Sequence, residues 1–176
     1  MSMSKTEAVA LIQEIKNTQK TMRYYKKRVK RMLQNELDLN MKYDQGKTLL
    51  HYIIEKNYAR LLPFLIERGS NPNICDDHFV SPMHLAVEKN NRKAVKYLAY
   101  SGADIDIPGE FEQTPLHRAV ILGDEKMIKT LIALGADVLL VDEKNLSVMD
   151  YAKDEKNQNI VSFLEKAIYK KKGEER

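Results

Sequence analysis

Cysteine is nearly absent. A single Cys75 in 176 residues excludes an internal disulfide, so the chain needs no oxidising compartment to fold. Long apolar runs are missing too: no window approaches the roughly 18 consecutive apolar residues of a membrane span, although 43% of the residues are hydrophobic, enough for a continuous core. The opening Met1-Ser2-Met3-Ser4-Lys5-Thr6-Glu7 has no basic segment leading into an apolar stretch, so no secretory leader is expected. The cytoplasm is the expected compartment, with the nucleus or export into a host cell as alternatives. There is no glycine-rich phosphate loop and no Cys/His spacing of a zinc site. Cys75 stands beside Asp76 and Asp77, which raise a thiol pKa, so it is a poor nucleophile. Carboxylates such as Asp76, Asp77, Glu110 and Glu112 read as solvated loop residues without the desolvating pocket that acid/base chemistry needs. No catalysis, cofactor or metal is expected.

Charge is unevenly spread. Residues 1–42 hold ten Lys and Arg against four Asp and Glu, a net +6, and residues 169–176 add +2. The segment between them, 43–168, carries 15 basic and 19 acidic residues, a net −4. Attraction to nucleic acid or an anionic membrane would therefore reside at the ends.

What is present in quantity is repetition. Thr114-Pro115-Leu116-His117-Arg118-Ala119 falls 33 residues after Ser81-Pro82-Met83-His84-Leu85-Ala86, which falls 33 after Thr48-Leu49-Leu50-His51-Tyr52-Ile53. The same step forward reaches Ser147-Val148-Met149-Asp150-Tyr151-Ala152. Gly69-Ser70-Asn71, Gly102-Ala103-Asp104 and Gly135-Ala136-Asp137 keep that period. A period in the range of about 20 to 50 residues marks a stack of like units. In each unit a turn-prone loop precedes Thr or Ser suited to cap a helix, Pro82 and Pro115 take the first helical position, and Gly ends a second helix.

The Thr-Pro-Leu-His-x-Ala motif at this period, followed by Gly-Ala-Asp, resembles the ankyrin repeat over residues 43 to about 167. The resemblance implies an all-α ankyrin-repeat solenoid of stacked helix-turn-helix units, with β-hairpin-like finger loops and helical caps. The expected organisation is a helical N-terminal cap over 1–42, repeats over 43–75, 76–108 and 109–141, a capping repeat over 142–168 and a basic tail over 169–176. Asp150 in place of His and Ile168 in place of Gly suit a last unit. In the cap, Ser4 and Glu7 fit a capping box. Ala8, Leu11, Ile15, Thr18, Met22, Tyr25, Val29 and Met32 then mark one long amphipathic helix, or two broken near Asn17 to Thr21. Val29 and Met32 join the rows Leu62, Val95, Ile128, Val161 and Leu65, Leu98, Leu131, Leu164, so this segment supplies the outer helix of a degenerate first repeat. The tail from Tyr169 is expected to fray.

His51, His84 and His117 invite a metal reading. Equivalent atoms of stacked units lie roughly 8 to 10 Å apart, whereas zinc binds nitrogen at about 2 Å, so neighbouring copies cannot share an ion. The better reading is a buried imidazole bonded to the backbone of its own unit and the next, which is also what the resemblance implies.

Surface recognition remains. The resemblance directs a protein partner to the finger loops and the concave row of first helices, with the chain itself expected as a monomer serving as adaptor, scaffold or inhibitor. There Phe111, Ile121 and Leu122 are apolar where the other units are charged, with Val80 and Leu146 flanking them, and a clustered apolar patch marks an interaction site. Gln113 belongs to the same finger. Tyr52, Leu85, Arg118 and Tyr151, one step past the histidine position, extend the patch, Tyr and Arg being favoured anchors. The C-terminal cap or tail is the alternative occupant. A second candidate is the basic stripe Arg23, Lys27, Lys30 and Arg31, which could bind phosphates or anionic lipid, or act as a nuclear-import signal. On that alternative the protein is an exported microbial effector or a regulator tethered to membrane or nucleic acid.

Overall fold

The structure, a computed structural model, describes residues 3–17, 20–33 and 38–174. Four short helices follow the four hydroxyl residues of the motif: α3 (Leu49–Glu55), α5 (Pro82–Glu88), α7 (Pro115–Ile121) and α9 (Val148–Asp154). Thr48, Ser81, Thr114 and Ser147 hold extended backbone at the N-cap. The hydroxyls of the last three accept from the amides of His84, His117 and Asp150, satisfying donors that the first turn leaves orphaned. Each of these helices is followed by an outer one: α4 (Leu62–Ile66), α6 (Arg92–Tyr100), α8 (Glu125–Ala133) and α10 (Gln158–Glu174). Asn91 and Asp124 cap α6 and α8, and beyond them Gly102 and Gly135 turn left-handed at φ of 85° and 102°. The short α4 has a local cause. Pro63 lacks an N–H to bond back into the preceding turn, and Ala59–Leu61 winds as a 3₁₀ turn instead.

The N-terminal segment forms two helices, α1 (Met3–Asn17) and α2 (Met22–Leu33). The side chains of Ser4 and Glu7, and of Met22 and Met32, lie outside the described residues. Packing places α1 beside α3 as α3 lies beside α5, α5 beside α7 and α7 beside α9, while α2 meets the outer turn before α4. The rows predicted from the period are therefore real: Val29, Leu62, Val95, Ile128 and Val161 are all buried, as are Leu65, Leu98, Leu131 and Leu164. Full burial of one such side chain contributes about 1.5–3 kcal/mol, so the rows form the spine of the core. Ala86, Ala119 and Ala152 are buried where paired helices approach, and the bulkier Ile53 is accommodated with them.

Between units, a second ladder runs through Asx side chains. The Asn40 side chain accepts from Asn71 N–H at 2.6 Å, Asn73 from Asp104 N–H at 2.9 Å and Asp106 from Asp137 N–H at 3.0 Å. At the next step the position is Leu139 and the ladder stops. There the tail takes over. Instead of fraying at Tyr169, α10 continues to Glu174, and Lys171 Nζ reaches Asp137 Oδ1 at 2.5 Å. Burial tends to raise the Asp137 pKa, but the Lys171 ammonium and the Leu139 amide outweigh it and hold the carboxyl below its usual range. The described part of the tail thus lies at the back of the last unit, where Ala167 and Lys170 line a cleft with Ile132 and Val138, and it leaves Phe79, Phe111 and Leu146 of the fingers exposed.

Each finger is closed across its base by a backbone bond, from Tyr43 to Lys47, Asp76 to Val80, Gly109 to Gln113 and Asp142 to Leu146, at 2.9 to 3.0 Å, with further backbone bonding inside the turn. The hairpin likeness goes no further. Among the described residues the only β pairing is an isolated bridge between Val141 and Ser147.

Candidate protein-binding surface

The three histidines fasten each finger to the unit before it. Nδ1 of His51 accepts from Thr48 N–H at 3.1 Å, which leaves the proton on Nε2 to donate to Val80 O, 2.9 Å away in the next unit. His84 Nε2 lies 2.9 Å from Gln113 O and His117 Nε2 3.3 Å from Leu146 O. Removal from water pushes all three imidazoles below their ordinary pKa, against the opposing pull of those carbonyls. The rings are thus occupied on both nitrogens. Among the described residues no group of three His, Cys, Asp or Glu side chains could hold a metal ion. Burial and Asp76 push the Cys75 thiol up from its ordinary value, away from the reactive thiolate.

The fingers fall into two kinds. Asp76 and Asp142 are buried, and their Oδ1 atoms accept from the amides two and four residues on: His78 and Val80, then Lys144 and Leu146, at 2.9 to 3.0 Å. Asp76 is therefore not a solvated loop carboxylate. It is a staple inside its own turn. Tyr43 and Gly109 occupy the same place in the first and third fingers and offer no such acceptor. Those fingers turn through two left-handed residues each, Gln45-Gly46 and Phe111-Glu112, whereas the stapled ones need one, Phe79 or Asn145. The extra left-handed residue carries a carbonyl that meets the next finger: Asp77 N–H donates to Gln45 O at 3.0 Å and Glu143 N–H to Phe111 O at 3.1 Å. No equivalent bond from Glu110 N–H to His78 O is present among the described residues. The fingers are joined first to second and third to fourth, and a cleft opens between the two pairs.

Phe79, Val80, His84, Glu88, Glu110, Gln113 and Arg118 line this cleft, with Phe79, Glu88 and Glu110 exposed and His84 buried. Arg118 is held to Glu88, its Nη2 2.9 Å from Oε1. The enclosed space is about 20 Å³, little more than one water molecule and far below the roughly 300 Å³ of a small-molecule site. It can seat a side-chain tip of a larger partner. Phe79 is 65% exposed and Phe111 is 50% exposed. Asp77, Glu110, Glu112 and Glu143 are exposed around them, so the finger edge is both aromatic and acidic.

The residues singled out from sequence are distributed as follows. Val80, Gln113 and Arg118 share the cleft. Tyr151 is half-buried, accepting from Gln113 Nε2 at 2.9 Å and donating to Asp142 Oδ2 at 2.5 Å. Burial alone raises the Asp142 pKa, yet the Tyr151 hydroxyl and the two staple amides hold it below the usual range. Leu146 is exposed on the last finger. Ile121 is half-buried and Leu122 is exposed at the C-terminus of α7, the opposite end from Phe111. Seven residues of helix, about 10 Å, separate Phe111 from Leu122, so they do not form one continuous patch. Tyr52 and Leu85 are buried and cannot extend it. Phe79, which the sequence reading did not single out, stands at the turn position that Gly46 fills in the first finger. An aromatic in a slot demanding φ > 0 was the available signal.

Three members of the basic stripe, Arg23, Lys27 and Lys30, line an outer cleft, while Arg28, which is not part of the stripe, lies with its Nε 3.6 Å from Glu14 Oε2 of α1. Arg31 is exposed outside that cleft. Among the described residues no helix is long and apolar enough to cross a membrane.

Comparison with known families agrees with this architecture. The model for ankyrin repeats in three copies matches residues 20–109, beginning near α2 and so including the outer helix of the degenerate first unit. The single ankyrin repeat matches residues 111–143. No curated protein gives a match. Ankyrin-repeat proteins are generally protein-binding modules and typically non-catalytic. With its period, its capped helix pairs and its matched residues in agreement, the chain belongs to the ankyrin-repeat family.

Proposed function

We propose that this protein is a non-catalytic adaptor or scaffold that holds a partner protein along its finger edge, centred on the break between the second and third fingers. The observation that carries this reading is the pair of exposed aromatics, Phe79 and Phe111, both held in left-handed backbone at φ of 58° and 56°. Such a conformation is unfavourable for a bulky side chain, and strain of that kind collects at binding sites. Exposed carboxylates beside aromatic faces suit a segment carrying Lys or Arg, since both groups attract a cation. Lys144 Nζ already lies 5.7 Å from the Phe111 ring centroid, an internal example of that contact.

The test is affinity capture with the wild type, a Phe79→Asn/Phe111→Asn variant and a Phe111→Ala/Leu122→Ala variant, followed by calorimetry with the captured partner. The reading expects the first variant to lose the partner while melting no lower than the wild type. Undiminished binding by that variant would place the surface elsewhere. The second variant reports whether the far end of α7 contributes.

A further inference from the structure

The outer face of the first two units carries a cleft that the finger edge does not explain. Arg23, Lys26, Lys27 and Lys30 of α2 form one wall; Phe64 and Arg68, in and just after α4, form the other. Phe64 is almost wholly buried, and two cations approach its ring, Arg68 Cζ at 3.8 Å and Lys26 Nζ at 5.4 Å from the centroid. Arg68 Nη1 also donates to Phe64 O at 3.0 Å, so its guanidinium is fixed in direction before any ligand arrives. One carboxylate, Glu67, stands 3.7 Å from Arg68. Among the described residues none pairs with Arg23, Lys26, Lys27 or Lys30. Arg23 with Lys27 and Lys26 with Lys30 are spaced i,i+4, where like charges repel. An arrangement that keeps such repulsion on one face calls for a counter-charge.

We propose that this cleft binds a compact polyphosphorylated anion, of the charge and size of an inositol phosphate. The space is about 480 Å³, within the range of small-ligand sites. Cations converge on it from two walls, which suits several phosphates clustered on one small body better than a polymer backbone. Among the described residues lining the cleft the only aromatic is Phe64, which is almost wholly buried and offers little face for stacking bases, and the net −4 of residues 43–168 opposes a long nucleic acid. This inference is independent of the finger-edge reading.

Three probes decide it at matched ionic strength: inositol hexakisphosphate, phosphatidylcholine vesicles containing phosphatidylinositol 4,5-bisphosphate, and a 20-mer duplex DNA. Each is titrated against the wild type, Lys27→Gln/Lys30→Gln, and the equal charge change Lys166→Gln/Lys172→Gln on α10. The expected result is binding of the inositol phosphate that weakens about tenfold or more in the α2 variant and little in the α10 variant. Vesicle binding with the same pattern assigns the phosphate to a lipid headgroup, and its absence to a soluble anion. Equal weakening in both variants, or binding of the DNA alone, overturns the proposal. The α2 variant should melt at or above the wild-type temperature because it removes repulsion, so lost binding cannot be lost fold.

Discussion

Phe79 sits in the slot that Gly46 and Asn145 fill in the first and last fingers, with φ of 58°, 71° and 59°. Glycine and asparagine tolerate that region; a phenylalanine there costs on the order of 1–2 kcal/mol. Its ring is 65% exposed and returns little of that cost through burial. Phe79→Asn is therefore expected to raise stability by about 0.5–1 kcal/mol in urea denaturation. A loss of stability would mean that the ring packs in solution. The histidines make a second prediction at this scale. Their folded pKa values are depressed below the ordinary value of about 6.5, so the unfolded chain takes up protons first. The stability they confer is complete above about pH 6.5 and is lost as pH falls through the folded values. Denaturation midpoints should begin to drop just below neutrality, well before the carboxylates titrate near about pH 4. A flat profile down to about pH 5 would show that these rings are not desolvated. The histidine role was legible because three copies in register leave few alternatives. Phe79 was not, because its position differs in every unit, as Gly46, Phe79, Glu112 and Asn145, and so keeps no period.

Alternation among the fingers belongs to the next scale up. Tyr43, Asp76, Gly109 and Asp142 occupy one position of the repeat, and the presence or absence of a carboxylate there decides how many left-handed residues the turn uses. Gly109 is also confined by its surroundings. A Cβ there would lie 2.8 Å from His84 Nε2 and 3.2 Å from Phe79 O. Gly109→Ala should therefore strain the bond from His84 to Gln113 O and destabilise the protein by about 1–3 kcal/mol, measurable by calorimetric unfolding. An unchanged transition would mean that the third finger is not held against the second unit. The period made helix order and buried rows readable, since both depend on hydrophobic spacing alone. It concealed the two kinds of finger, because Asp76 and Asp142 alternate with Tyr43 and Gly109 instead of keeping the period, and the bonds those carboxylates accept inside the turn show only in the structure. It also concealed the helical tail, whose extra turns depend on a partner, Asp137, more than 30 positions earlier in the chain.

At the scale of the whole molecule, the stack presents two surfaces of opposite chemistry. The aromatic, acidic finger edge lies along the inner helices, and the basic cleft lies on the outer side of α2 and α4. Neither includes a core residue of the rows, so the spine can hold both while leaving each free to change. The basic stripe was visible as charges on one helix face, but only packing showed that Phe64 and Arg68 complete the other wall and that Arg31 stays outside the cleft. The finger edge depends on one claim above all, that the fingers associate in twos and part in the middle. Site-resolved amide hydrogen exchange on the free protein tests it most directly. The amides of Asp77 and Glu143, bonded to the neighbouring finger, should exchange slowly, and that of Glu110, facing the cleft, should exchange fast. Protection of Glu110 equal to that of Asp77 would mean that four fingers form one unbroken row, with no cleft for a partner to enter.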